Sequence, residues 1–211
     1  SALQNLPVTY VFTHDSIAVG EDGPTHEPIE HLASLRTIPN TYVFRPADAT
    51  EAQAAWYLSQ KVNNKPTSLV LTRQNLPVLE NTSFEKVSKG AYVVYETSSD
   101  FDTILIATGS EVALAVDAAR ELEKEGSKVR VVSMPSVELF EEQSKEYKEE
   151  LLPRSVRRRV SLEMGNTALW YKYVGLDGLA IGIDNFGASA PANKVIEEYG
   201  FTVAKVVERI K

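Results

Sequence analysis

Thr103-Ile104-Leu105-Ile106-Ala107-Thr108-Gly109-Ser110-Glu111 is the stretch that decides the fold. Its first five residues form a short continuous apolar run, which suits a parallel strand covered on both faces. Gly109-Ser110 turns the chain into a helix predicted over 111–125, and Gly126 is placed to end it. Val129-Arg130-Val131-Val132 reads as the next strand. Strand, helix and strand joined by a right-handed crossover make the unit of an open parallel sheet wrapped by helices. Working outward, Tyr92-Val93-Val94-Tyr95 reads as a strand at a sheet edge. Two short helices fill 136–151, strands follow at 159–162 and 179–181, and helices at 190–199 and 203–210 close the chain. Periodicity of the apolar residues carries each of these assignments.

Upstream the pattern is similar but shorter. Val8-Thr9-Tyr10-Val11-Phe12 is β-branched and aromatic and reads as a strand. A loop over 13–26 is punctuated by Gly20 and Gly23-Pro24. Ile29, Leu32, Ala33 and Leu35 recur at helical spacing until Pro39-Asn40 stops them. Tyr42-Val43-Phe44 is a short strand closed by Arg45-Pro46, and Asp48 or Thr50 can cap a helix over 51–62. Residues 67–72 are a buried strand ending at Arg73. About three strands and two helices are fewer than a sheet normally needs to cover both faces. The expected fold class is therefore α/β in two units. Residues 1–76 are an incomplete parallel-sheet segment, read as the tail of a larger domain whose remainder lies upstream. Residues 77–89 are a linker, and 90–211 are a doubly wound, mostly parallel α/β domain.

Composition narrows the function classes. The 211 residues are 43% hydrophobic and 24% charged, which is ordinary for a globular protein. No apolar run approaches the roughly 20 residues needed to span a bilayer, and no signal-peptide core is present at the start. There is no cysteine, hence no disulfide, thiol nucleophile or thiolate metal site. With 22 Lys+Arg against 29 Asp+Glu the net charge is −7, so nucleic acid and anionic membrane are poor partners. Lack of both cysteine and a signal is compatible with the cytoplasm.

All three histidines fall close together, His14, His26 and His31, with Asp15, Glu21, Asp22 and Glu27 around them. The loop that carries His14, Asp22 and His26 follows a parallel-type strand, and ligands of open α/β sheets bind beyond the carboxyl ends of strands. Arg73 ends another strand of the same unit and is placed for the same edge. Imidazoles donate and accept near neutral pH, and guanidinium offers a fork that matches phosphate. The set suits a hydroxylated, phosphorylated small molecule better than a metal, because its spacing is not a zinc arrangement. Each residue also has a plainer reading. His26 is a satisfied structural residue, His31 belongs to an amphipathic helix, Asp15 is a loop cap, and Arg73 is an exposed strand-end cation.

Read as strings, these residues resemble a known family. Thr13-His14-Asp15-Ser16, Gly20-Glu21-Asp22-Gly23-Pro24-Thr25-His26-Glu27-Pro28, Arg45-Pro46-Ala47-Asp48 and Leu71-Thr72-Arg73-Gln74-Asn75-Leu76 are similar to transketolase. So are Ile106-Ala107-Thr108-Gly109-Ser110-Glu111-Val112, Val131-Val132-Ser133-Met134-Pro135-Ser136, Trp170-Tyr171-Lys172-Tyr173-Val174-Gly175 and Phe186-Gly187-Ala188-Ser189-Ala190-Pro191. The strings run in register over nearly the whole chain and match the C-terminal third of that family. The resemblance implies transfer of a two-carbon ketol unit between sugar phosphates on thiamine diphosphate. That cofactor is held with magnesium between two subunits of a homodimer. It implies that His14 and Arg73 bind the substrate phosphate, that Asp22 reads the hydroxyl beside the aldehyde carbon, and that His26 serves as the catalytic group near the reacting oxygens.

The departures are as informative. The family's Gly-Asp-Gly motif is absent, and no residue here matches the family's cofactor-activating glutamate or aminopyrimidine pocket. The expectation is that this chain holds neither thiamine diphosphate nor metal, is inactive alone, and needs the rest of the parent enzyme. Two alternatives stand beside it: a non-catalytic assembly module, and a portion of a related thiamine-dependent enzyme such as deoxyxylulose-phosphate synthase. Elsewhere, Ala107-Thr108-Gly109-Ser110 reads as a structural turn rather than a phosphate cradle, with Glu111 complementing the helix dipole. Arg154, Arg157, Arg158 and Arg159 read as a solvated face or as partners of Glu141, Glu142, Glu149 or Glu150. Trp170, Tyr171 and Tyr173 read as core or interface.

Overall fold

A computed structural model describes residues 1–211 as two α/β units. In the first, β1 (Thr9–Thr13), β2 (Tyr42–Phe44) and β3 (Thr67–Leu71) form a parallel sheet in the order β1-β3-β2. The helices α1 (His31–Thr37) and α2 (Ala49–Ser59) connect them. β3 is central and buried along most of its length. β1 is an edge strand whose Tyr10, Val11 and Phe12 are exposed.

The second unit carries a five-stranded sheet in the order β4-β6-β5-β7-β8. The strands are β4 (Tyr92–Glu96), β5 (Thr103–Ala107), β6 (Val129–Ser133), β7 (Arg158–Leu162) and β8 (Leu179–Ile181). β4 is antiparallel to β6 and lies at the edge, while the other four strands are parallel. The helices are α3 (Glu111–Lys124), α4 (Val137–Glu141), α5 (Lys145–Leu151), α6 (Tyr171–Val174), α7 (Ala192–Glu198) and α8 (Val203–Ile210). The apolar run that decided the fold is β5, and every one of its residues is buried. From β5 the chain winds to β6 on one side and from β7 to β8 on the other. The carboxyl ends of β5 and β7 therefore flank the point where the winding reverses.

One continuous core joins the units. Phe44 and Leu69 of the first sheet belong to the same buried cluster as Leu105, Val131 and Leu162 of the second. The residues between the units are docked on them. Leu79 N–H and the Thr82 hydroxyl donate to Asp48 Oδ2 at 2.9 and 2.6 Å. Phe84 tilts against Tyr57 with centroids 5.5 Å apart, and Val87 is fully buried. Asp48 is also the N-cap of α2, accepting from Glu51 N–H at 2.9 Å. No helix is long and apolar enough to cross a membrane.

Candidate functional site

β1 and β3 pair in parallel with Thr13 opposite Leu71. His14 follows β1 directly and Arg73 follows β3 by two residues, so both leave neighbouring strands at the same sheet edge. Both are exposed. His14 has φ 65°, a left-handed conformation that a residue with a Cβ holds at a cost of about 1–3 kcal/mol and only when its surroundings impose it. Its Nδ1 lies 2.9 Å from the Thr13 hydroxyl. A cavity of about 340 Å³ opens beside it, lined by Phe12, His14, Asp15 and His31 and on its apolar side by Leu35 and Val70.

Asp22 and His26 lie on a different structure, the turn-rich loop after the short helix Ile17–Val19. The loop folds on itself: Gly23 N–H donates to Gly20 O, and His26 N–H to Gly23 O. It is seated on the second unit, with the Ser189 hydroxyl donating to Glu21 O at 2.6 Å. Glu27 is buried there, and a Cβ at Gly187 would sit 1.7 Å from its Oε2. Burial pushes the Glu27 carboxyl up from its ordinary range. Asp22 and His26 are exposed, and the His26 Nδ1 lies 3.0 Å from the Thr25 hydroxyl. No hydrogen bond joins Asp22 or His26 to His14 or Arg73. The 340 Å³ cavity takes His14 but not the other three.

Directly after His14, at Asp15, begins a buried ionic network that local sequence patterns do not reveal. Asp15 is no loop cap. Ser16 caps the short helix, accepting from Ala18 N–H, while Asp15 is buried and receives Arg45 Nε at 2.7 Å. Arg45 has no exposed side-chain surface. Its Nη1 donates to Thr108 O at 2.9 Å and to Glu111 Oε2, and lies 3.8 Å from Glu163 Oε1. Burial works against the charge on Arg45, but Asp15, Glu111 and Glu163 outweigh it and hold the proton more tightly than usual. Arg36 grips Glu163 with both Nη atoms, at 2.8 and 2.9 Å, and the Trp170 indole donates to the same carboxylate at 2.8 Å. Burial raises the affinity of Glu163 for a proton, yet the two guanidinium groups prevail and keep its carboxyl below the ordinary range.

Arg45 thus fills the crevice between the carboxyl ends of β5 and β7, the place where an open α/β sheet usually takes a ligand. This gives a physical reason for the turn at Ala107–Ser110. Gly109 has φ 60°, and a Cβ there would lie 2.7 Å from Arg45 Cζ. Glu111 opens its helix as expected, but it serves the guanidinium rather than the helix dipole alone. Of the basic cluster, Arg154 lies 3.5 Å from Glu149, Arg157 pairs with Asp177, and Arg159 donates to four main-chain carbonyls. Trp170 and Tyr173 are core, and Tyr171 is exposed. His31 opens α1 and is exposed.

These features define a pair of α/β domains on mostly parallel sheets, with an imidazole and a guanidinium just beyond two neighbouring strand ends and a second imidazole and a carboxylate on a separate loop. The model of the transketolase pyrimidine-binding domain matches residues 1–78, and that of the transketolase-like C-terminal domain matches residues 90–202. The chain belongs to the transketolase family. It is 69% identical to the probable transketolase of Streptococcus pneumoniae and 58% identical to the transketolase of Bacillus subtilis, in each case over all of this chain and 32% of the relative. It spans about a third of the length of these curated relatives. The transketolase of Pichia stipitis, solved in complex with sedoheptulose-7-phosphate, superposes with TM-score 0.94 and 47% identity over 99% of this chain and 30% of that one. A split-gene transketolase described as an inactive β4 tetramer superposes with TM-score 0.77 and 26% identity, over 96% of this chain and 65% of that one.

The family implies thiamine diphosphate. The residues present do not fit a cradle for it with a metal: no three His, Asp or Glu side chains are grouped to hold a metal ion. No step through that cofactor is assigned to this chain.

Proposed function

We propose that this chain supplies the substrate side of a transketolase and that polypeptide beyond it supplies thiamine diphosphate, magnesium and the groups that hold them. The work divides among residues 1–76, which carry the polar rim, the docked connection 77–89, and residues 90–211, which brace it. Arg73 binds the sugar phosphate through its planar fork, and His14 donates to the same phosphate. Asp22 accepts from the hydroxyl beside the aldehyde carbon, so a deoxy analogue leaves a carboxylate unpaired. His26 is the catalytic group and moves a proton at the reacting oxygen. The partners are a ketose phosphate donor, an aldose phosphate acceptor and a second subunit, in the cytoplasm.

The observation that supports this reading is the Thr13–Leu71 pairing: His14 and Arg73 come just after adjacent parallel strands at the same sheet edge. The test is complementation. Mixed with a purified polypeptide carrying the upstream part of a transketolase, the chain restores two-carbon transfer that neither piece shows alone. Association without activity overturns the reading. Calorimetry of the chain alone with thiamine diphosphate and magnesium gives no heat above dilution, and micromolar binding would contradict the division of labour.

A second reading, a non-catalytic assembly module, draws on the exposed apolar face of β1 and on the inactive tetramer described for the split-gene relative. It describes the chain by itself and is compatible with the first. Light scattering of the isolated chain then reports an oligomer, and a monomer at high micromolar concentration removes it.

A further inference from the structure

We infer that the second unit acts on the rim through Arg45, and that Arg45, Glu111 and Glu163 are positioning residues for His14. The inference rests on the reading of His14 as a phosphate-side residue and goes beyond it. It assigns a task to the switch-point crevice of the second unit, which holds a side chain of the first where a ligand would be expected.

The geometry runs in one line. Glu111 follows the turn after β5 and Glu163 follows β7, and both face the Arg45 guanidinium. Thr108 O accepts from the same guanidinium at 2.9 Å. The main chain of Arg45 is fixed as well, its N–H donating to Pro135 O at 2.8 Å and its carbonyl accepting from Gly109 N–H at 3.0 Å. The free end of the clamp is Nε, which donates to Asp15 Oδ2. Asp15 Oδ1 is buried without a partner, so Arg45 is the one side chain that holds this carboxylate. Asp15 follows His14 directly in the chain, and His14 is in the left-handed conformation that requires support from its surroundings. Two guanidinium groups, Arg36 and Arg45, stand among three carboxylates in a site closed to water. Such a site responds to any change in charge because its fields are not screened. A group placed for one geometry loses much of its effect when displaced by a fraction of the reacting distance. The second unit therefore sets where His14 stands without touching substrate.

The test uses Glu111→Gln, which keeps the shape of the side chain and removes its charge. In the 15N-labelled chain, the backbone and ring resonances of His14 and those of Asp15 shift or broaden with those of Arg45, while His31, outside the network, stays in place. Movement at Arg45 with His14 unmoved overturns the proposal. Should Glu111→Gln not fold, Glu111→Asp keeps the charge, withdraws it by one methylene, and faces the same readout. In the full-length enzyme, Glu111→Gln lowers kcat/KM for phosphorylated acceptors by about tenfold to a hundredfold, mostly through KM, and spares a non-phosphorylated aldehyde. His14→Ala in the same assay judges the underlying reading. No selective loss there removes the phosphate role of His14. A selective loss in His14→Ala without one in Glu111→Gln removes the relay.

Discussion

The phenol of Tyr92 donates to Glu51 Oε1 at 2.7 Å across the boundary between the two units. Glu51 lies on α2 and Tyr92 opens β4, and Ser133 of β6 donates to the same oxygen at 2.6 Å. Oε2 accepts from Ala47 N–H at 2.7 Å. Glu51 is fully buried with no cation beside it. Its polar atoms are satisfied, but its charge is not balanced.

That unbalanced charge makes the stability of the fold depend on pH. Burial, the largest influence, and Asp48 push the Glu51 carboxyl up, against hydrogen bonds from Ser133, Ala47 and Tyr92 that pull it down. The folded chain therefore binds this proton more tightly than the unfolded chain does. That contribution is complete below the unfolded carboxyl value of about 4.3 and is lost as pH climbs through the raised folded value. Glu51→Gln keeps an acceptor for Ala47 N–H and presents its amide to Tyr92 and Ser133. Urea denaturation of both proteins from about pH 5 to 8 checks it: wild type loses stability relative to Glu51→Gln by up to about 1.4 kcal/mol per pH unit. Parallel pH curves would contradict the assignment.

Gly109→Ala tests the filled crevice. The new methyl meets the Arg45 guanidinium carbon at 2.7 Å in a backbone conformation that disfavours any Cβ. The expected loss is about 2–4 kcal/mol, strain and displacement together. Gly126→Ala is the control for backbone strain alone, since that position also has positive φ but nothing within 4 Å. Equal losses at the two sites would mean that Arg45 yields freely.

Arg36→Met leaves Glu163 with Arg45 at 3.8 Å and the Trp170 indole. Removing one partner of a buried pair costs about 3–5 kcal/mol, and the loss shrinks at acid pH as Glu163 takes a proton. Because Trp170 donates to that carboxylate, its fluorescence emission moves in the same variant. A stable variant with unchanged emission would show that the pair is dispensable.

In a reconstituted ketol-transfer assay, Arg73→Ala loses about 1.5–3 kcal/mol on phosphorylated acceptors, the scale of a hydrogen bond to a charged group. A non-phosphorylated aldehyde loses far less. Equal losses on both would place Arg73 outside the phosphate site.

Much of the fold was legible because the strands are short apolar runs with turn residues at their ends. The run 103–107 became β5 residue for residue, and the expected edge strand at 92–95 is the antiparallel β4. Helix ends were less legible. The helix expected over 51–62 spans Ala49–Ser59, because Asp48 caps it and the chain turns at Gln60 and Lys61, ahead of the Asn63-Asn64 break. The helix expected over 190–199 starts only after Pro191. At the rim, strand ends pointed to His14 and Arg73, since the carboxyl-end rule needs only strand order. Arg45 was illegible. An Arg-Pro pair closing a strand looks like surface, and its partners Glu111 and Glu163 are distant in sequence. Nothing in local periodicity announces that a cation will be enclosed by carboxylates from two other turns.

The docked connection carries a practical consequence. Leu79 and Thr82 are tied to Asp48, Val87 is enclosed, and a shared core lies beneath. A protease that nicks this stretch at its polar surface would leave two pieces that still travel as one particle through a sizing column. Heat would melt them in a single step rather than in sequence.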